Sequence, residues 1–179
     1  MKAIDYNKSS INNLLENYDY QPDLTKKLDN LHDVPFTQSI INEIVLWKVN
    51  RYVFIDNEIL ENINKLKNLT QGEHRQAESV LETLLKKDKD IVRGVDLPMA
   101  STILRFRNPK VFQIIDRHAY RALYDEDFSL YKLKSIDQKV STYFKYLDDI
   151  IDLCRKKNLE FQIIDRLLYE FDKKVNGRL

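Results

Sequence analysis

Apolar residues recur along this chain at three- and four-residue spacing, the period of an α-helix. Ser9 and Ser10 can cap a helix over 8–18 carrying Ile11, Leu14 and Leu15. Pro22 and Asp23 open a short amphipathic helix over 22–31, and Pro35-Phe36-Thr37 breaks the chain. From Thr37 to about Phe54 the apolar set is Ile40, Ile41, Ile44, Val45, Trp47, Tyr52 and Phe54. That breadth predicts a central, mostly buried helix. Residues 57–68 repeat Ile59, Leu60, Ile63 and Leu66; Thr70-Gln71-Gly72 turns the chain; residues 73–87 place Val80, Leu81, Leu84 and Leu85 on a further helix.

An apolar helix is expected from about 98 to 106, ended by Asn108-Pro109. A short apolar stretch, Val111 to Ile115, leads to Asp116 and a helix reaching about Tyr124. Two long helices, about 136–156 and 159–175, complete the pattern, the second with Phe161, Ile164, Leu167, Leu168 and Phe171 on one face.

Composition agrees with an all-α fold. The 179 residues hold only three Gly and four Pro, too few for the many tight turns of an all-β chain. With 43% hydrophobic and 32% charged residues a packed globule is expected rather than disorder. Cys154 is the only cysteine, which excludes an internal disulfide, a four-thiolate zinc site and an iron–sulfur cluster. The opening residues MKAIDYNKSS lack the apolar core of a signal peptide, and no run of 18 apolar residues occurs. The expectation is a soluble, cytoplasmic protein with no membrane partner, its oligomeric state unspecified.

The net charge of +1 disfavours coating nucleic acid through bulk positive charge, but the distribution is uneven. Residues 86–121 hold nine Lys or Arg against four Asp, whereas residues 1–35 hold four Lys against six acids. The basic segment surrounds the chain's strongest motif. Residues 83–107 read as two helices joined by a tight turn at Ile91-Val92-Arg93-Gly94-Val95-Asp96-Leu97-Pro98. Gly94 permits a positive φ, and Pro98 suits the first turn of the next helix. Free N–H groups at such a turn, with the helix dipole behind them, can hold a phosphate.

Gly94-Val95-Asp96, Leu97-Pro98, Met99 and Ala100, followed by Ile115-Asp116-Arg117-His118-Ala119-Tyr120-Arg121, resemble the helix-hairpin-helix DNA glycosylases. Their hairpin reads roughly Gly-Val-Gly, two variable positions, a small or polar residue and Ala. Their catalytic Asp sits further on, within a pattern close to Val-Asp-x-His-Val-x-Arg. The match spans about 92–123, under a fifth of the chain. The resemblance implies two helical lobes with a cleft between them: lobe A about 36–110, lobe B from 1–35 plus 111–179. It implies hydrolysis of the N-glycosidic bond of a damaged or mismatched base flipped from double-stranded DNA. Asp116 would be the catalytic carboxylate, stabilising an oxocarbenium-like transition state and orienting water.

On this reading Arg93, Gly94, Val95, Leu97, Arg105 and Arg107 bind the DNA backbone. Trp47, Lys48, Arg51 and Tyr120 form the base pocket, with an aromatic platform for the flipped base. No metal or other cofactor is required, although the hairpin of relatives often holds a monovalent cation on backbone carbonyls. Bifunctional members carry a lysine nucleophile where this chain has Pro98, so a monofunctional enzyme is expected. Asp96 replaces the second hairpin glycine and sets a negative charge beside the phosphate position. Many relatives also carry a C-terminal four-cysteine cluster, absent here.

Other readings stay open. Asp116 could serve only as a helix cap, His118 could hold structure, Trp47 could be core, and Arg105 and Arg107 could be solvated. His32-Asp33 suggests a metal-dependent phosphohydrolase pair but has no partner pair elsewhere. The hexapeptide Phe-Gln-Ile-Ile-Asp-Arg occurs at 112–117 and at 161–166, and makes Asp165 a rival to Asp116. Asp165 falls within a helical pattern, as a surface or salt-bridge residue would. A non-catalytic helix-hairpin-helix DNA-binding module and a helical protein-interaction domain are the alternatives to an enzyme.

Overall fold

The computed structural model describes residues 22–31, 34–49, 53–86, 88, 91–126, 129 and 132–176. The helix expected over 8–18, the His32–Asp33 pair and Arg51 lie outside them. Among the described residues there are eight α-helices and one two-stranded sheet. In chain order these are α1 Pro22–Asp29, α2 Gln38–Lys48, β1 Phe54–Ile55, α3 Asn57–Lys65, α4 Glu78–Leu85 and β2 Val92–Arg93. They continue with α5 Leu97–Arg107, α6 Arg117–Tyr124, α7 Ile136–Lys157 and α8 Ile164–Asn176. The all-α class therefore holds. No helix among the described residues is long and apolar enough to cross a membrane.

The chain divides into two compact units, Met1–Tyr52 and Val53–Leu179. In the first unit Thr37 caps α2, its side chain accepting the Ile40 N–H at 3.3 Å. Trp47 Nε1 donates to Thr25 Oγ1 on α1 at 2.8 Å, and Lys27 pairs with Glu43 at 2.6 Å. The expectation of a buried helix over 37–54 is corrected here. The helix stops at Lys48, Phe54 opens β1 instead, and no residue of α2 is buried. Its apolar residues are spread around the axis, so packing on α1 leaves Ile41, Val45 and Leu46 exposed.

The second unit has one continuous core. Leu81 and Leu84 of α4, Leu97, Ala100 and Leu104 of α5, and Tyr143, Tyr146, Leu147 and Ile150 of α7 are its fully buried centre. Each of the leucines and the isoleucine contributes about 1.5–3 kcal/mol. Phe112 and Ile115 join the same cluster, so the stretches on either side of residue 110 share this core. Helix α7 begins with a reciprocal capping box between Ser135 and Gln138 and ends at Asn158, whose φ of 52° is left-handed.

Helix α8 is turned relative to its expected orientation. Ile164, Asp165, Leu168 and Asp172 face inward, while Leu167 and Phe171 are 42% and 53% exposed. The inward acids find buried cations, described below, and this outweighs the apolar count of the other face.

Candidate functional site

The arm before Gly94 is strand, not helix. Helix α4 ends at Leu85, and Val92 and Arg93 pair antiparallel with Ile55 and Phe54. Residues 83–107 are thus helix, strand, turn and helix, which corrects the expected pair of helices joined by a tight turn. The turn itself has the anticipated features: Gly94 has φ +74° and Pro98 stands in the first turn of α5.

The anion site expected there is partly filled from within. Asp96 caps α5, and its Oδ1 accepts the Leu97 N–H at 2.7 Å. Lys139 of α7 reaches the same oxygen at 2.6 Å. A carboxylate occupies the first amide of the helix, and a lysine offsets its charge. Such a carboxylate also suits the positive end of the helix dipole.

The residues assigned to DNA binding divide into two groups. Gly94 is exposed and Arg93 partly so, the Arg93 guanidinium lying 5.2 Å from the centre of the Phe54 ring. Val95 is half-buried against the core. The Leu97 side chain is fully buried and its N–H is taken by Asp96. Arg105 is buried too, pairing with Asp165 at 3.3 Å and donating to the Gln162 carbonyl at 3.1 Å. This corrects its expected role as a phosphate contact or solvated charge. Arg107 donates twice to the Asn64 carbonyl, at 3.2 and 3.0 Å, and so closes the end of α3.

Asp116 is reached through a segment that belongs to no helix or sheet. Residues 112–116 form neither helix nor strand and are mostly buried, so their backbone groups need side-chain partners. Tyr143 donates to the Gln113 carbonyl at 3.0 Å and Tyr146 to the Ile114 carbonyl at 2.8 Å. Ser101 of α5 accepts the Ile115 N–H at 3.2 Å. The segment therefore delivers Asp116 to the N-cap of α6 in a fixed pose, with Oδ1 accepting the Ala119 N–H at 2.7 Å. Oδ2 makes no hydrogen bond among the described residues, and the side chain is partly exposed. The Tyr146 hydroxyl is held well above its ordinary pKa, by burial first and by the charge of Asp116 next.

Lys139, Tyr143 and Tyr146 stand at i, i+4 and i+7 of α7, on one face and about 10 Å apart end to end. That face touches Asp96 at one end and the Asp116 segment at the other. The hairpin turn and the candidate carboxylate are thus brought to the same helix.

His118 and Arg121, the other members of the Asp-x-His-x-x-Arg signature, do not extend the site. Arg121 grips the fully buried Asp172 with two hydrogen bonds of 2.8 Å, and His118 Nδ1 lies 2.6 Å from the same carboxylate. Asn176 adds a fourth bond at 2.9 Å. The Arg121 guanidinium is the main reason that the Asp172 carboxyl lies far below the usual range. The cluster clamps α6 to α8, consistent with the structural reading of His118.

Tyr120 is partly buried, its ring 4.5 Å from that of Tyr124, and burial raises its hydroxyl pKa. Trp47 and Lys48 belong to the first unit, Tyr120 and Asp116 to the second. The repeated hexapeptide takes two conformations: outside helix and strand up to Asp116 in the first copy, helical around Asp165 in the second. Asp165 is a buried salt-bridge residue.

Sequence reasoning missed Ser101, Lys139, Tyr143, Tyr146 and Asp172. Asp172 had a legible signal, since an acid that continues the Ile164–Leu168 spacing must find a buried cation. The tyrosines had a weaker one, as two polar-tipped aromatics on a core-facing stripe.

No protein-family model, no curated protein and no solved structure matches this chain. Among the described residues no group of three or more His, Cys, Asp or Glu side chains is placed to hold a metal ion.

Proposed function

We propose that the protein is a monofunctional DNA glycosylase of helix-hairpin-helix type, with Asp116 as its catalytic carboxylate. The observation carrying this reading is the divided duty of that side chain. Oδ1 is fixed by the first turn of α6, while Oδ2 is left without a hydrogen bond among the described residues. An anchored carboxylate with one free oxygen can stabilise positive charge at a sugar carbon without reorganising. In the proposed step water adds to that carbon, the N-glycosidic bond breaks, and the base leaves with the bonding pair and takes up a proton. The partner is double-stranded DNA with the target base flipped out. Tyr120 stands on the same helix as a stacking surface, and in the hairpin Gly94 is exposed and Arg93 partly exposed.

The reading requires no lysine nucleophile and no cofactor. A monovalent ion at the hairpin, as in the family this chain resembles, would use the carbonyls of Gly94 and Val95. Those of Ile91 and Asp96 are committed to Asp56 and Ala100. A cytoplasmic setting fits this function.

A second reading, a non-catalytic DNA-binding module, is favoured by Asp96, whose carboxylate takes the amide that a phosphate would use. Base release from duplexes each carrying one lesion or mismatch separates the two. The enzyme should leave abasic sites that Asp116→Asn does not, with Asp165→Asn as a control for general damage. Salt-sensitive DNA binding without base release by the unaltered protein would decide for the binding module.

A further inference from the structure

A concave site lies in the same unit, and Asp116 is not among its lining residues. Three turns, at 67–71, 108–110 and 160–162, enclose a cavity of about 530 Å³. That is within the range of roughly 300–1,000 Å³ usual for small-molecule sites.

Its walls are fixed from one helix end. Asn108, 5% exposed, donates from Nδ2 to the Leu66 and Leu69 carbonyls, both at 3.0 Å, and accepts the Lys110 N–H at 3.2 Å. Arg105, one turn earlier, holds the third wall through the Gln162 carbonyl at 3.1 Å. The cavity is therefore formed before anything enters it, and little ordering cost remains for binding.

Its chemistry is selective. Lys67 and Lys110 both line it, and neither ammonium group has an ion-pair or hydrogen-bond partner among the described residues. Glu160 is the only acid in the lining. A surface lysine is ordinarily just solvated; two lysines without ion-pair partners lining one concavity focus a positive field and attract an anion. Asn68, Gln71 and Gln162 add amide groups that can both donate and accept, and Phe161 adds an apolar surface. A single inorganic anion would leave most of this lining unused. A phosphate attached to a planar group with hydrogen-bonding edges would use it all.

We propose that this cavity binds a phosphorylated ligand of nucleotide size, its phosphate at Lys67 and Lys110 and its polar ring edge at the three amides. A free mononucleotide and the phosphorylated end of a nucleic acid strand share this chemistry. The site does not depend on the glycosylase reading.

The test is titration of the whole protein with adenosine monophosphate, adenosine, inorganic phosphate, and an oligonucleotide with and without a terminal phosphate. Saturable binding of adenosine monophosphate, at least about tenfold tighter than adenosine or phosphate alone, is expected. The double variant Lys67→Gln/Lys110→Gln should lose at least about tenfold of that affinity. Lys156→Gln, on an exposed position of α7, should bind as the unaltered protein does. Both cavity lysines are exposed, so thermal melting should confirm that the double variant folds. A phosphorylated oligonucleotide that binds as tightly, and better than its unphosphorylated twin, assigns the site to a strand end; binding of the mononucleotide alone assigns it to a free nucleotide. The proposal is overturned if neither phosphorylated probe binds, if inorganic phosphate binds as tightly as the nucleotide, or if the double variant is unaffected.

Discussion

The hydroxyl of Tyr146 lies 2.8 Å from the carbonyl oxygen of Ile114, two residues before Asp116. With Tyr143, which serves the Gln113 carbonyl in the same way, it gives this segment, outside helix and sheet, the backbone partners that neither supplies. Tyr146→Phe keeps the ring and its packing but leaves a buried carbonyl unsatisfied, a cost of about 1–3 kcal/mol. Denaturant midpoints should fall accordingly in Tyr146→Phe and in Tyr143→Phe. An unchanged midpoint in both would mean that water reaches these carbonyls and that the tyrosines do not brace the segment.

The Arg105–Asp165 pair gives a second prediction. Both side chains are buried, at 8% and 6% exposure, so removing one partner strands a charge. Arg105→Met or Asp165→Leu alone should destabilise by about 3–5 kcal/mol, whereas the double substitution should cost far less than the sum. Additive losses in a double-mutant cycle would contradict a directly coupled pair.

How legible all this was in the sequence depends on the range of the interaction. Caps and turns are decided within four residues, so the start of α5 after Asp96, the positive φ of Gly94 and the stop at Asn108 could be read directly. Asp116 before α6 was equally local. The strand at Val92–Arg93 was not, because its partner Phe54–Ile55 lies far along the chain and two residues carry no period. Arg105 was misread for a related reason. On its own helix it looks like one of several basic residues near a C-terminus, and only the turned face of α8, with Asp165, brings it inside. The hexapeptide is the clearest instance. One sequence lies outside helix and strand up to Asp116, where tyrosines and a serine satisfy its backbone, and is helical around Asp165.

Asp116 has two roles that substitution can separate. As an N-cap, Asn is about equal to Asp, and Ala costs about 1 kcal/mol. As a catalytic carboxylate, Asn is no substitute. Asp116→Asn should therefore melt close to the unaltered protein yet release no base, while Asp116→Ala should lose both stability and activity. If Asp116→Asn still releases base at the full rate, Asp116 is a cap and no more.

Asp172 carries the clearest pH dependence. Hydrogen bonds from Arg121, and then from Asn176 and His118, hold its folded-state pKa below the value of about 3.9 expected in the unfolded chain. Between those two values the unfolded state binds the extra proton, so stability rises with pH there. The contribution is fully present above about pH 4 and is lost as the pH falls through the unfolded value towards the folded one. Asp172→Asn removes the charge that Arg121 and His118 share, and at neutral pH it should cost about 3 kcal/mol, the low end for breaking a buried pair. The difference between variant and unaltered protein should then shrink as the pH is lowered below about 4, because acid neutralises the carboxylate that the variant already lacks. Urea midpoints followed from neutral pH into that range would show the two curves converging. A gap that stays constant would place the source of acid sensitivity elsewhere and reduce the α6–α8 clamp to packing.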